Sequence, residues 1–479
     1  MKNSGSISAR NLIGLGLGYS LILSLAVFFE SYFVAAIPLL LMVLYLAFFR
    51  IDVLMIFIVA CTPFSLNLED LDLGGVGFYL PTEPLLFGVM LILVFKVISG
   101  QYLDKALLKH PISWLIYAMI VWMMLSTINS ELPLVSFKFM LAKLWFILPV
   151  FFLGAQLLKN QSRIRIFLLT YLFSLIAVVL YTILHHAQYG FGMEAGHWVM
   201  SPFFKDHTSY GAVLAMFFPV ALGMLFQKNI SVLLRVFLIM GLVILSLGII
   251  LSYTRAAWVS IAAASGLFML MLFRIKLISL ISTTVFLGVF IFSIQDQLLL
   301  NLERNTQDSS DDLAEHVESI SNVSSDASNL ERLNRWNCAI AMFQERPLLG
   351  WGPGTYQFVY APFQRSQDLT IISTNNSDGG NAHSEYLGPL AEQGVPGMLL
   401  MIILVVMVAF LAFRLFYTLK DLELRIYVVS VFLGLVTYFI HGVLNNYLDT
   451  DKASIPFWGF IAVLVSIDVV NQSKESATE

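Results

Sequence analysis

Fourteen long apolar stretches, joined by short polar connections, restrict this chain more than any other feature of it. They run roughly over 11–29, 33–49, 51–66, 83–98, 111–128, 139–158, 166–184, 208–226, 231–252, 256–273, 277–294, 397–416, 426–444 and 454–470. A bilayer core holds no water to satisfy peptide groups, so only helices and closed barrels cross it. Apolar runs of this length are those of spanning helices, not of alternating barrel strands. Hydrophobic residues make up 58% of the 479 and charged residues 12%, with a mean hydropathy of +0.82. The expected fold is an all-α integral membrane protein of about 14 (12–14) transmembrane helices, with a large extracytoplasmic loop carrying short helices. The first stretch follows Lys2 and Arg10 without a small-x-small cleavage site, which reads as a retained span.

Lys and Arg set the expected orientation. With the N-terminus inside, 17 of the 27 fall at inner connections and helix ends and 10 at outer ones. The positive-inside rule then places both termini in the cytoplasm and the long polar insert, 295–384, outside. Two further outer segments stand out: the acidic, Gly-rich stretch 67–84, and 185–207 with four histidines. The 308–328 part of the insert is rich in Ser, Asp and Asn, the composition of a mobile segment. No internal repeat is visible. The natural divisions are N-terminal helices over 1–200, a core over 201–416 that includes the insert, and C-terminal helices with a short tail over 417–479. A net charge of −4 argues against nucleic acid as a partner. Cys61 and Cys338 allow at most one disulfide and no metal site.

The insert ends in the residues with most chemistry. Ser328 with Glu331 reads as a capping box opening a helix. Leu330, Leu333, Trp336, Ile340 and Phe343 recur at helical spacing, with Arg332 and Arg335 side by side off that stripe. Pro347 ends the helix, and Gly350, Gly352, Pro353 and Gly354 make a corner. His383 then precedes a short segment ended by Gly394 and Pro396, directly before an apolar run. Arg255 stands between two apolar runs, where an arginine either snorkels or meets an anion. Lys143 lies a turn or two inside its span and has the same two readings. Asp206 and His207 either cap the following helix or line a cavity mouth. Glu385 stands two residues from His383 and would make its imidazole more basic if turned inward. Against these, Asp449-Thr450-Asp451 matches the D-x-D that binds metal and nucleotide sugar, yet falls on the outer face, where nucleotide sugars are absent. His185, His186, His197 and His207 lack metal-ligand spacing, and His441 reads as a helix–helix contact.

Arg332, Trp336, Pro347, Gly350, Gly352 and Gly354, followed by Asn381-x-His383 and then Gly394-x-x-Gly397, form a pattern that resembles the O-antigen ligase superfamily. That superfamily also holds O-antigen and exopolysaccharide polymerases. SYTRAAW around Arg255 and SPFFKDHTSYGAVLA around Asp206 resemble two of its upstream segments. The resemblance covers about residues 200–400; the first six spans match only in hydropathy. It implies a metal-independent, cofactor-free glycosyltransferase of the bacterial cytoplasmic membrane. Such an enzyme takes a glycan from an undecaprenyl-pyrophosphate carrier to a glycan or lipid acceptor, with membrane lipid around it and polysaccharide-assembly proteins as further partners. The family's loop histidine corresponds to His383 as the catalytic residue, and its arginines to Arg255 and Arg332 as ligands of the donor pyrophosphate. Lys143, Asp206, His207, Arg335 and Glu385 are accessory candidates, and no metal ligand is expected. The chemistry agrees: a departing diphosphate needs fixed cations, and a sugar hydroxyl needs a placed base. Ligase and polymerase stay open as readings. The rival class is a transporter or flippase of lipid-linked sugars, which would place ionisable groups at the bilayer midplane. No acidic residue falls there: Asp52, Glu83 and Asp468 are all near span ends.

Overall fold

The computed structural model describes residues 19–20, 24, 37–68, 77–100, 103–228, 230–279, 282, 327–366, 369, 373 and 380–476. They fall into two compact units, 1–57 and 58–479. The expected spans 11–29 and 277–294, and the polar part 308–326 of the insert, lie almost wholly outside the described residues.

In the first unit, helix α1 (Ile37–Phe49) exposes Leu39, Leu40, Leu41, Tyr45 and Phe49, apolar side chains suited to lipid. The unit boundary falls within α2 (Ile51–Cys61). The second unit continues with α3 (Thr82–Ile98), α4 (Pro111–Ile128), α5 (Pro133–Leu157), α6 (Gln161–Ala187), α7 (His207–Leu225), α8 (Val232–Leu251) and α9 (Arg255–Leu272). After the undescribed segment come α10 (Ala327–Glu345), α11 (Leu387–Thr418), α12 (Leu422–Leu444) and α13 (Asp451–Ser476). Among the described residues, α4–α9 and α11–α13 are nine helices long and apolar enough to cross a membrane. The only strands among them, β1 (Leu66–Asn67) and β2 (Tyr79–Leu80), form one short antiparallel pair.

Burial separates core helices from peripheral ones. The most apolar window of α13 is 94% buried and those of α12 and α7 are 78% and 67%, whereas α8 and α9 reach only 28% and 22%. α13 is apolar on every side, the pattern of a central helix. Small residues let neighbours close on it: a Cβ on Gly459 would meet the ring of Phe167 at 2.4 Å, and one on Gly434 of α12 the ring of Phe460 at 2.9 Å. In α5 the ladder widens into a π-helical turn over Ile147–Leu153, where Pro149 has no N–H to give.

The connections gather at two ends of the second unit. At one, Gln161 bonds Glu423 at 2.8 Å, and Asp468 accepts from His110, Arg414 and Gln472. At the other, the segments around Ser65, Glu131, Asp206, Ser252, Trp351, Glu385 and Asp451 meet. The second end carries the motif residues.

Two elements shape that end. α11 is broken at Gly394 (φ 69°, ψ −169°), beside Pro396. The freed groups are taken up by neighbours: Trp122 Nε1 donates to the Gln393 carbonyl, Ser126 Oγ to that of Glu392, and Val395 N to that of Pro347. The glycine corner fills the break, with Trp351 N and Gly352 N donating to the Ala391 and Glu392 carbonyls. Gly350 (φ 67°) lies so close that a Cβ would fall 2.3 Å from the Glu392 backbone.

The second is α10, where two expectations need correcting. The helix already includes Ala327, so Glu331 is not the third residue of a capping box; it pairs with Arg335 at 2.6 Å and accepts from Asn334 and Ser373. The expected apolar stripe is not the buried face, since Leu333 and Ile340 are 38% and 40% exposed. Buried instead are Glu331, Asn334, Arg335, Cys338, Ala339 and Met342. Cys338, Ala339 and Met342 pack with Tyr356, Tyr360, Ala382 and Ala391. Arg335, also off that stripe, lies on the buried face. It is 5% exposed, with its guanidinium over the Tyr360 ring at 4.0 Å, because an ion pair and an aromatic face make burial of the charge tolerable.

Candidate active site

His383 sits on a loop that Asn381 shapes, its backbone N–H donating to Asn381 Oδ1 at 3.0 Å. Its φ of +48° is left-handed, a conformation a non-glycine residue holds only where its surroundings over-determine it. Ala382 and Ser384 on either side are buried, so the backbone is fixed and the imidazole partly sheltered. Burial, reinforced by Arg332 and Arg335, pushes the His383 pKa down to about 4, against an opposing pull from Glu331 and Asp206. At neutral pH this imidazole is uncharged and can accept a proton.

Arg332, on α10, is half-buried, and its charge acts on His383, His207, His441 and Tyr447 together. Asp206 acts on the same four groups. It is the N-cap of α7, accepting from Thr208 N at 2.9 Å, Ser209 N at 2.8 Å and Thr208 Oγ1 at 2.5 Å. Both readings of Asp206 thus coexist, since a capping carboxylate also lies beside the histidines. His207 stacks on His197 with ring centroids 4.3 Å apart. Arg255 opens α9 next to this corner, because the preceding Thr254 donates from Oγ1 to the His207 carbonyl at 2.9 Å.

Lys143 and Glu385 belong to a second group. Together they line a cavity of about 90 Å³ between α4, α5, α11 and α13. The ammonium lies 5.0 Å from the Phe139 ring centroid, and its charge acts on Glu385 and Glu392. Glu385 is buried, and burial pushes its pKa up. Its Oε1 accepts from Tyr438 OH at 2.5 Å, Tyr447 N at 2.8 Å and Leu448 N at 2.9 Å. Arg335, the remaining candidate, makes the Glu331 pair and the Tyr360 stack while its charge still reaches His383.

Asp206, His207, Arg332 and His383 therefore come together from three distant segments, with Arg335 behind them. Two neighbours escaped the sequence reading. Tyr447 stands in the connection just before the D-x-D, where no reading pointed to it, and its hydroxyl shares a hydrogen bond with Thr208 Oγ1. His441 is buried, 3.2 Å from Asn445 Nδ2; its place near the site end of a span was legible, but its nearness to Arg332 and Asp206 was not. Asp451 of the D-x-D accepts from Ser65 and Thr82 and lies 3.5 Å from the Lys452 ammonium, so that carboxylate is bound into the packing of helix ends. His185 and His186, in the last turn of α6, bond to carbonyls, His185 to that of Val199 at 2.9 Å and His186 to that of Gly192 at 2.8 Å. Among the described residues no three His, Cys, Asp or Glu are grouped to hold a metal ion.

The spanning helices and the polar cluster at one end define an all-α membrane protein. Residues 240–402 match the family described as O-antigen ligase, a stretch containing Arg255, Arg332, Arg335, His383 and Glu385, so the resemblance to the O-antigen ligase superfamily stands. Comparison with curated proteins gave no match.

Proposed function

We propose that the protein is a glycosyltransferase that moves a glycan from an undecaprenyl-pyrophosphate carrier to an acceptor hydroxyl, at the outer face of the cytoplasmic membrane. The observation that carries this reading is the left-handed His383, an uncharged imidazole in the field of Arg332 and Arg335, within the stretch that matches the family. In the reaction the acceptor oxygen attacks the anomeric carbon while His383 takes the hydroxyl proton. The bond from that carbon to the diphosphate oxygen breaks, and its electron pair leaves on the diphosphate. Arg332 and Arg255 hold this anion by the planar two-point contact that guanidinium makes with phosphate oxygens. Arg335, bound to Glu331 and Tyr360, adds field without leaving its packing. Asp206 and His207 face the acceptor side, and Lys143 balances the buried carboxylates of Glu385 and Glu392. Nothing in this set draws on a metal or cofactor.

The same arrangement extends a chain when the acceptor is itself a lipid-linked glycan. Ligation and polymerisation then differ in what fills the acceptor side, not in the groups that act. In this account the insert faces away from the cytoplasm, both termini lie inside, and the enzyme works beside other polysaccharide-assembly proteins.

The test is surface glycan display by cells whose only copy carries one substitution. His383→Ala should reach the membrane in normal amount and lose transfer by about 10²- to 10⁴-fold, the worth of a placed base. Arg332→Lys should lose about 10²- to 10³-fold, since lysine keeps the charge but not the planar fork. Normal display by His383→Ala at normal protein levels would remove His383 from the reaction.

A further inference from the structure

Glu385 stands two residues from His383, yet its carboxylate is engaged elsewhere. Oε1 takes three donors, all from α12 or the connection after it: Tyr438 OH, Tyr447 N and Leu448 N. The Glu385 backbone N–H donates to the Gly442 carbonyl at 2.8 Å, and Tyr386 OH to that of Phe439 at 3.0 Å. Gly442 leaves room for this approach, since a Cβ there would lie 3.1 Å from Glu385 Cγ. The loop carrying His383 is thus fastened to the end of α12 and to the 445–450 connection by five hydrogen bonds.

The fastening continues. Tyr447, held through its backbone by Glu385, shares its hydroxyl with Thr208 Oγ1, and Thr208 Oγ1 donates to Asp206 Oδ1. One path of hydrogen bonds therefore runs from the His383 loop through Glu385, Tyr447 and Thr208 to Asp206 and His207. Its two ends are the segments whose groups share the field of Arg332.

We propose that Glu385 is a positioning residue. With Tyr447 it forms a strut that sets the His383 loop and the Asp206–His207 corner at a fixed separation, and it takes no part in moving the proton. One oxygen accepts all three donors, and Lys143 supplies the nearby cation that makes a carboxylate tolerable in a buried place. The strut rests on the transfer reading above, in that it matters only if the two segments act on one substrate.

The test uses the full-length protein in membranes, fed with the lipid-linked glycan pool extracted from the same cells, with rates taken per folded protein. Glu385→Ala should lower kcat by about 10- to 100-fold and leave KM for the donor near its original value, because a supporting contact is lost and no donor contact is. Glu385→Gln keeps an accepting oxygen and should recover most of that loss, with the pH profile unchanged. Tyr447→Phe, which cuts only the link to Thr208, should cost less. Combined with Glu385→Ala it should add almost nothing, since both break one path. A Glu385→Gln protein as impaired as Glu385→Ala, or with a shifted pH profile, would show that the carboxylate titrates in the reaction, and the strut would be wrong. Multiplying losses in the double variant would overturn it as well. His383→Ala run alongside separates the two ideas. Transfer by that variant removes the underlying reading; a dead His383→Ala beside a near-normal Glu385→Ala removes the strut alone. If Glu385→Ala does not accumulate, Glu385→Gln and its combination with Tyr447→Phe decide the matter.

Discussion

His383 differs from an ordinary loop histidine in the direction of its pKa. Burial and the two arginines favour the neutral ring, so its folded value of about 4 lies below the usual 6.5. The protonated form is disfavoured in the fold, so the ring is neutral and able to take a proton at every pH above about 4. Transfer under low-donor conditions, which reports the free enzyme, should fall only as pH drops toward 4 and not near 6.5. A bound diphosphate would offset the arginine charge and raise that value, so the acid limb of kcat should lie at higher pH than the limb of kcat/KM. Rates measured from pH 4 to 8 at low and at saturating donor would show it; coincident limbs at 6.5 would contradict it. Residue types and motif positions made His383, Arg332, Asp206 and His207 legible before the fold. Tyr447 and His441 were not, because they meet the site across more than 50 intervening residues and no local spacing records such a contact. The role of Glu385 was hidden for the same reason: its partners Tyr438, Tyr447 and Leu448 are 53 to 63 positions away.

At the scale of elements, helical periodicity found α10 but chose the wrong face. An apolar stripe identifies a buried face when the neighbours are apolar, and here the facing groups include Tyr356, Tyr360 and Gly380, which receive an ion pair. Gly380 leaves space for the Arg335 guanidinium; a Cβ there would sit 2.1 Å from Nη1. Gly394 and Pro396 did announce where a segment stops, and the structure shows the stop as a break within α11 that the glycine corner enters. Gly394 should therefore tolerate no side chain: its φ is left-handed and a Cβ would approach the Leu348 carbonyl to 2.0 Å. Gly394→Ala should cost roughly 2–4 kcal/mol, combining backbone strain with that clash. Thermal unfolding of the detergent-solubilised protein would register this as a lower midpoint, and an unchanged midpoint would mean the break is not a fixed feature.

For the whole molecule, run length and composition announced the helical membrane fold. Among the described residues, nine of the fourteen expected spans are helices long enough to cross, and three more, α1, α2 and α3, are shorter apolar helices. The ranking of core and periphery was not legible, since α8 and α13 are both strongly apolar and only contacts show that α13 is enclosed. That enclosed frame brings seven connecting segments to one end, and the candidate chemistry lies there. The most direct measurement is a single turnover by purified protein in lipid, with one equivalent of undecaprenyl-pyrophosphate-linked glycan and acceptor, following carrier phosphorus by NMR while glycan joining is measured. Wild type should release undecaprenyl pyrophosphate in step with each glycan joined, and His383→Ala should release none on that time scale. Release and joining by His383→Ala at the wild-type rate, or joining with no diphosphate released, would contradict the account.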